Sequence, residues 1–156
     1  MNTTTIELGR RARLSAHTLR DYLLAPPCRT PGETPWCAEA ITPEWLTAVL
    51  CAEVPGAEVT AVAVSAASNG SSVRKRLAVS YNEAGARAAL PTRLFAKTTP
   101  SVLTRLTSGP SAGQEARFFT TLRPLLQIET PPHRHSSYDR VSGRSLDRKS
   151  TRLNSS

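Results

Sequence analysis

Residues 73–81 read Val-Arg-Lys-Arg-Leu-Ala-Val-Ser-Tyr, and apolar and polar side chains alternate along most of this stretch. Because successive side chains of a β-strand point to opposite faces of the sheet, this period of two predicts a half-buried strand. Residues 58–64 alternate in the same way, and a loop of small residues, 65–72, joins the two segments. The sequence therefore predicts an antiparallel hairpin.

The segments that follow the hairpin predict the rest of a sheet and one helix. A third strand is expected over 92–98, with Pro100 just beyond its end. Residues 111–122 have a helical period and a capping serine, Ser111, at their start. A weak fourth strand is expected over 133–141. This order predicts an α+β fold, in which a helix packs on an antiparallel sheet.

The N-terminal region, residues 1–40, is expected to be a helical and linker segment that precedes the sheet domain of residues 41–146. Within it, residues 15–24 predict a short helix, and the prolines of residues 25–40 indicate a linker. A second helix is expected from Thr42 onward, because threonine caps a helix well and the next residue is a proline in the first turn.

Composition excludes several classes of protein. The chain has 156 residues, which is enough for one core, and its hydrophobic share of 39% is typical of a globular domain. No apolar run has the length of a membrane span and no signal-peptide pattern opens the chain, so we expect a cytoplasmic protein with no membrane partner. The three cysteines fit neither a disulfide framework nor a metal site, and no metal ligands are predicted.

Lys97 is the first candidate for a binding residue. Residues 1–146 contain 15 arginines but only two lysines, Lys75 and Lys97, and Lys97 follows an apolar run in the third predicted strand. Glu115 lies on the predicted helix that follows, where packing on the sheet would bring its carboxylate to the ammonium group. A lysine held in this way presents N–H donors to a phosphate. A purely structural ion pair explains the same pattern equally well.

The hairpin loop is the second candidate, through Asn69, Gly70, Ser71 and Ser72. Small residues let backbone N–H groups approach phosphate oxygens, and the glycine permits conformations closed to other residues. Taken alone, the loop is better explained as an ordinary hairpin turn, because it lacks the G-x-G-x-x-G pattern.

Two segments, residues 90–98 and 113–119, resemble the aminoglycoside-phosphotransferase-like kinases. The resemblance is closest to the branch that includes the ecdysteroid-kinase-like and choline-kinase-like proteins. In that branch a strand with a lysine is followed by a helix with an E-x-x-F-[YF] motif, which here is residues 115–119. Residues 41–46 and 137–139 are also similar to the family.

Over residues 41–146, the resemblance implies the N-terminal lobe of the protein-kinase-like fold. It implies that Lys97 contacts the α- and β-phosphates of ATP, that Glu115 orients this lysine, and that residues 69–72 cover the phosphates. The intact protein would then transfer the γ-phosphoryl group of ATP, with Mg²⁺, to a hydroxyl group of a small molecule.

The catalytic loop of the family, an H-x-D-x-x-x-x-N pattern, has no counterpart in residues 98–146. That range contains one aspartate, Asp139, and no asparagine, and His135 precedes the aspartate by four positions instead of two. No catalytic residue or metal ligand is therefore assigned. We expect the second lobe to be absent and the chain to be inactive in phosphoryl transfer.

The last ten residues, 147–156, resemble an in-frame translation of a sequencing-library adapter. We expect this segment to be a non-native tail, and the genuine sequence to stop near Leu146; an ordinary polar, disordered C-terminus is the alternative. On this interpretation the chain is an N-terminal fragment of a longer kinase.

A different class of function remains open, that of a basic, non-catalytic module for nucleic acid or another anionic partner. The net charge of +8 favours it, but Arg74 and Arg76 are expected to point away from Lys75, and aromatic residues make up only 5% of the chain. Nucleic acid is therefore the less favoured partner. The alternative requires arginines clustered on one face and binding with a steep salt dependence.

Overall fold

A computed structural model describes residues 3–69, 73–122, 125 and 133–150, and its fold is α+β. The helices are α1 (Thr3–Leu24), α2 (Pro43–Leu50), α3 (Glu83–Arg87) and α4 (Val102–Arg117), with a short 3₁₀ turn at Ala38–Ala40 and a π-helical segment at Phe118–Leu122. The strands are β1 (Val59–Asn69), β2 (Val73–Tyr81), β3 (Arg93–Thr98), β4 (His133–Tyr138) and β5 (Ser145–Ser150). They form one antiparallel sheet in the order β1-β2-β3-β5-β4.

Strand β2 shows why the alternating sequence forms this sheet. Leu77 and Val79 are buried, whereas Arg74 and Arg76 on the opposite face are exposed. Lys75 lies on the same face as Leu77, where its ammonium group pairs with Glu39 at 3.2 Å. The three consecutive basic residues are thus divided between two faces, as the period of two predicts.

The hydrophobic core lies between one face of the sheet and the segment that precedes β1. Trp45 and Leu46 of α2 are completely buried and belong to the same apolar cluster as Leu77, Leu94 and Leu146 from the sheet. The predicted start of α2 is confirmed, because Thr42 accepts a hydrogen bond from the backbone N–H of Trp45 at 3.2 Å.

Residues 25–40 are not a linker as predicted. Cys28 and Ala38 are buried in the core, and the backbone N–H of Cys28 donates to the carbonyl of Ala40 at 2.8 Å. Prolines do mark irregular backbone, but irregular backbone can pack when its polar groups find partners. Here the backbone carbonyl of Glu33 has such a partner, because it accepts a hydrogen bond from the indole N–H of Trp45.

Two predicted helix starts are wrong. Helix α1 begins at Thr3 instead of Ser15, and α4 begins at Val102 instead of Ser111. The cap of α4 is Ser101, whose hydroxyl accepts from the backbone N–H of Thr104 at 3.1 Å, while the Thr104 side chain accepts from the backbone N–H of Ser101. This reciprocal capping lets the helix begin early. The helix continues through Pro110, although a proline inside a helix removes one backbone hydrogen bond.

Part of the segment expected to be a non-native tail contributes to the sheet. Residues 147–150 continue β5, which pairs with β3 on one side and β4 on the other. Strands pair through backbone N–H and C=O groups, so an extended segment of almost any side-chain composition can occupy such a position. The adapter-like origin of residues 147–156 is a separate question and stays a prediction.

None of the helices in the described part of the chain combines the length and the apolar character needed to cross a membrane.

Candidate functional site

Strand β3 places Lys97 on the face of the sheet opposite the core. Leu94, Ala96 and Thr98 are buried, while Phe95 and Lys97 between them are partly exposed. The strand register sets Lys97 opposite Arg74 of β2. The period of two in β3 therefore directs the ammonium group away from the apolar core and toward the side where α4 packs.

Helix α4 carries Glu115 to this lysine. Its carboxylate Oε2 lies 2.9 Å from Lys97 Nζ, which is a hydrogen-bonded ion pair. The side chains of Lys97 and Glu115 are 33% and 28% exposed, so solvent reaches the pair. The structure thus brings together the two residues that the sequence marked as partners, while their role toward phosphate stays a prediction.

A cavity of about 320 Å³ lies between α4 and strands β3, β5 and β4. Lys97 and Glu115 both line it. Six hydroxyl-bearing side chains line it as well, namely Thr99, Thr107, Ser108, Ser111, Ser136 and Ser145. A helix normally packs on a sheet through apolar side chains. This lining instead combines hydroxyl groups and one ammonium group with two carboxylates, so it offers both hydrogen-bond donors and acceptors to a polar ligand.

Asp147 also lines this cavity, and the register of β3 and β5 places it directly opposite Lys97. Its side chain is buried. The lysine therefore has one carboxylate on the helix and a second on the neighbouring strand. The second belongs to the adapter-like segment 147–156, and we assign it no function.

The hairpin loop candidates are only partly within the described residues. Asn69 is the last residue of β1, where it is the register partner of Val73, and Val73 is in turn the partner of Thr98. The end of β1 and the start of β2 thus lie at the end of the sheet where Lys97 lies. Gly70, Ser71 and Ser72 lie outside the described residues, so their predicted contact with phosphate stays a prediction.

The Mg²⁺ implied by the family resemblance has no evident ligand set in the described ranges, where no three His, Cys, Asp or Glu side chains are grouped as a metal would require. The intact family supplies its metal ligands from the catalytic loop and the aspartate that follows it, which residues 98–146 do not contain. No role for a metal is derived for this chain.

Sequence reasoning missed a buried charged cluster, which we call the anchor cluster: Asp21 of α1, Arg105 of α4, and Arg144 before β5. Asp21 and Arg105 are completely buried, and Arg105 Nη2 lies 2.6 Å from Asp21 Oδ2. Arg144 Nε donates to the same carboxylate oxygen at 3.1 Å, and Arg144 Nη2 donates to Asp21 Oδ1. Burial is the strongest influence on the pKa of Asp21 and raises it, but the hydrogen bonds from Arg144 and Arg105 outweigh burial and lower the pKa overall.

No local pattern could have revealed the anchor cluster. Its members come from three separate elements, and a lone Asp or Arg within a helical stretch is normally a solvated surface residue. Only the tertiary structure places the arginines against the aspartate.

Comparisons of the chain with protein-family models, with curated proteins and with solved structures found no match.

Proposed function

We propose that the chain is the ATP-binding lobe of a small-molecule kinase, with Lys97 as the phosphate-binding residue and Glu115 as the residue that orients it. The intact protein would transfer a phosphoryl group from ATP to a hydroxyl group of its substrate. The observation that carries the proposal is the 2.9 Å ion pair between a lysine on β3 and a glutamate on the helix that follows. Protein kinases hold their ATP-binding lysine by a strand-to-helix ion pair of this kind.

The chemistry of the pair fits a phosphate ligand. An ammonium group has three N–H donors, and the bond to Glu115 uses one of them. Glu115 thereby fixes the position of the ammonium group, and a phosphate that arrives beside it gains a charge-assisted hydrogen bond. The hydroxyl groups of the adjoining cavity supply further donors.

The family resemblance of residues 41–146 supports the same proposal. It includes the E-x-x-F-[YF] motif that begins at Glu115. Because the catalytic loop pattern is missing from residues 98–146, the proposal assigns nucleotide binding to this chain and assigns phosphoryl transfer to the intact protein only.

The two lysines of residues 1–146 provide a matched pair for the test. Both Lys97 and Lys75 form an ion pair with a glutamate, at 2.9 and 3.2 Å, but they lie on opposite faces of the sheet. We expect Lys97→Met to weaken the binding of ATP tenfold or more, the range of a lost charge-assisted hydrogen bond. Lys75→Met should leave ATP binding unchanged.

Isothermal titration calorimetry with ATP, and then with adenosine, measures the effect. Adenosine lacks phosphates, so its affinity should not depend on Lys97. The proposal fails if wild-type protein does not bind ATP, or if Lys97→Met and Lys75→Met bind ATP equally.

One observation favours the alternative of a basic module for a polyanion. Arg74 and Arg76 are exposed on the sheet face that carries Lys97, and Arg93 is exposed on the same face of β3. If this face binds nucleic acid, a single-stranded oligonucleotide should displace ATP, and its affinity should fall steeply as salt increases. Weak oligonucleotide binding beside clear ATP binding would exclude this alternative.

A further inference from the structure

The anchor cluster is bonded to both sides of the candidate phosphate site. Arg105 lies in the first turns of α4, the helix that carries Glu115. Its Nε donates to the backbone carbonyl of Thr99 at 3.1 Å, and Thr99 is the first residue after β3, two residues beyond Lys97. One buried guanidinium group therefore holds the helix of the glutamate against the strand of the lysine.

The same arginine reaches two further elements. Its Nη1 donates to the carbonyl of Ser142 at 3.1 Å, in the turn between β4 and β5, and its Nη2 pairs with Asp21 of α1. Arg144 completes the arrangement, because it also binds Asp21 and donates to the carbonyl of Thr34 at 3.5 Å. Helix α1 is thus attached through one carboxylate to the elements that form the site.

The anchor cluster contributes little net free energy to the stability of the fold. A buried ion pair gives little net stability, because the charges lose their hydration, and apolar residues of similar volume often serve as well. The anchor cluster moreover has two cations for one anion. Directional hydrogen bonds do, however, fix the position and rotation of a helix more narrowly than apolar contacts.

The distance from the anchor to the ion pair lies along one helix. Arg105 and Glu115 are ten residues apart on α4, which corresponds to about 15 Å along the helix axis. Pro110 interrupts the backbone hydrogen bonds between them, so the second half of the helix needs a contact of its own. Gly113 provides it, since a Cβ atom there would lie 2.9 Å from Cδ1 of Tyr138 on β4.

Helix α1 packs equally closely against the turn between β4 and β5. A Cβ atom on Gly143, which has a φ of +69°, would lie 2.8 Å from Leu14 Cδ2 and 3.3 Å from Arg105 Cβ. The turn between β4 and β5 therefore fits against both α1 and α4 with no spare volume. A shift of α1 has to move Arg105 or break its bonds.

We propose that Asp21, Arg105 and Arg144 are positioning residues, through which the docking of α1 sets α4 and so holds Glu115 against Lys97. The importance of this for ATP rests on the proposed function, but the positioning itself does not. All three residues precede the adapter-like segment 147–156.

The test uses Arg144→Gln, which removes one of the two partners of Asp21 and leaves the completely buried pair with Arg105 intact. Asp21→Asn is the stronger change, but it leaves Arg105 buried without a counter-charge and can prevent folding. Arg144→Lys is the conservative variant. Arg87→Gln is the control, because Arg87 pairs with Glu83 at 3.7 Å on the surface, where the two side chains are 73% and 86% exposed.

The primary measurement is competitive acetylation of the native protein by acetic anhydride, with Lys97 and Lys75 quantified by mass spectrometry. An ammonium group released from its carboxylate reacts faster. We expect the Lys97 to Lys75 ratio to rise about two- to fivefold in Arg144→Gln, the range of a partly exposed ion pair. The ratio should return toward the wild-type value in Arg144→Lys and stay unchanged in Arg87→Gln.

A purely structural role gives a different result. General loosening raises the acetylation of both lysines together and leaves their ratio unchanged. An unchanged ratio in folded Arg144→Gln, judged by a cooperative thermal transition, overturns the positioning proposal even if the wild type binds ATP. A raised ratio in a protein that does not bind ATP upholds the positioning and overturns the proposed function instead.

Discussion

Trp45 offers the sharpest stability test, because its side chain joins the segment before β1 to the sheet. The residue is completely buried in the apolar core. Its indole Nε1 donates to the backbone carbonyl of Glu33 at 3.2 Å, and its ring meets the His135 ring edge to face, with centroids 5.2 Å apart. Replacement by alanine removes all three contributions at once.

The expected cost follows from these contacts. Trp→Ala in a core costs about 3–5 kcal/mol, a range that already includes the cavity left behind. Trp45→Phe keeps an aromatic ring beside His135 but leaves the Glu33 carbonyl without its donor, which we expect to cost about 1–2 kcal/mol. Against a typical net stability of about 5–15 kcal/mol, the alanine variant loses a large fraction of the total. Its melting temperature should fall by about 6–20 °C.

Urea denaturation followed by circular dichroism measures these differences, and Trp36→Ala is the matched control. Trp36 is only partly buried and meets the Tyr22 ring at 5.3 Å, so its removal should cost clearly less. Equal denaturation midpoints for Trp45→Ala and Trp36→Ala would refute the placement of residues 25–50 against the sheet.

Two further predictions concern ionisable groups. The pKa of Asp21 lies below its ordinary value of 3.8, because the hydrogen bonds from Arg144 and Arg105 outweigh the effect of burial. The contribution of the Asp21 carboxylate to stability is therefore complete above about pH 5 and is lost as the pH falls through 3.8 toward the folded pKa. In urea titrations, folded Asp21→Asn should lose less stability between pH 5 and pH 3 than the wild type. An equal loss in both proteins would contradict this. Burial, above all, raises the pKa of Cys28 and of Cys37 from 9.0 to about 11. Below pH 9, each of these cysteines is then about 100-fold less often in the thiolate form than a cysteine of ordinary pKa. Iodoacetamide should therefore modify the native protein at pH 8 far more slowly than the urea-denatured protein. Similar rates would count against the buried positions.

The parts of the fold that sequence reasoning predicted are those with a strong local signal. The hairpin of β1 and β2 follows from a period of two, and the start of α2 follows from a threonine and a proline in the positions where helices favour them. The start of α4 has a capping signal too, at Ser101. Sequence reasoning placed the start at Ser111 instead. The tertiary contacts of Arg105 and Gly113 hold the helix on both sides of Pro110.

The candidate site likewise has one part that the sequence predicts and one part that it does not. The pairing of Lys97 with Glu115 was predicted because a lysine beside an apolar run requires a partner, and the next helix offered one. The anchor cluster was not predicted, because its bonds join residues 84 and 123 positions apart. Burial of a charge depends on what the rest of the chain packs around it, and no local window of sequence contains that information.

Strand β5 shows why taking part in the fold says little about the origin of a segment. The side chains that fix its position come before residue 147: Ser145 donates its backbone N–H to Thr99 Oγ1 at 3.1 Å, and Leu146 is buried in the core. These contacts set the register, and β3 and β4 then offer open backbone groups on both sides. Any extended residues that follow can pair there, whether they come from the gene or from an adapter. The pairing of residues 147–150 is therefore expected whether the gene or an adapter encodes them. The anchor cluster and the pair of Lys97 with Glu115 depend on side chains that come before residue 147.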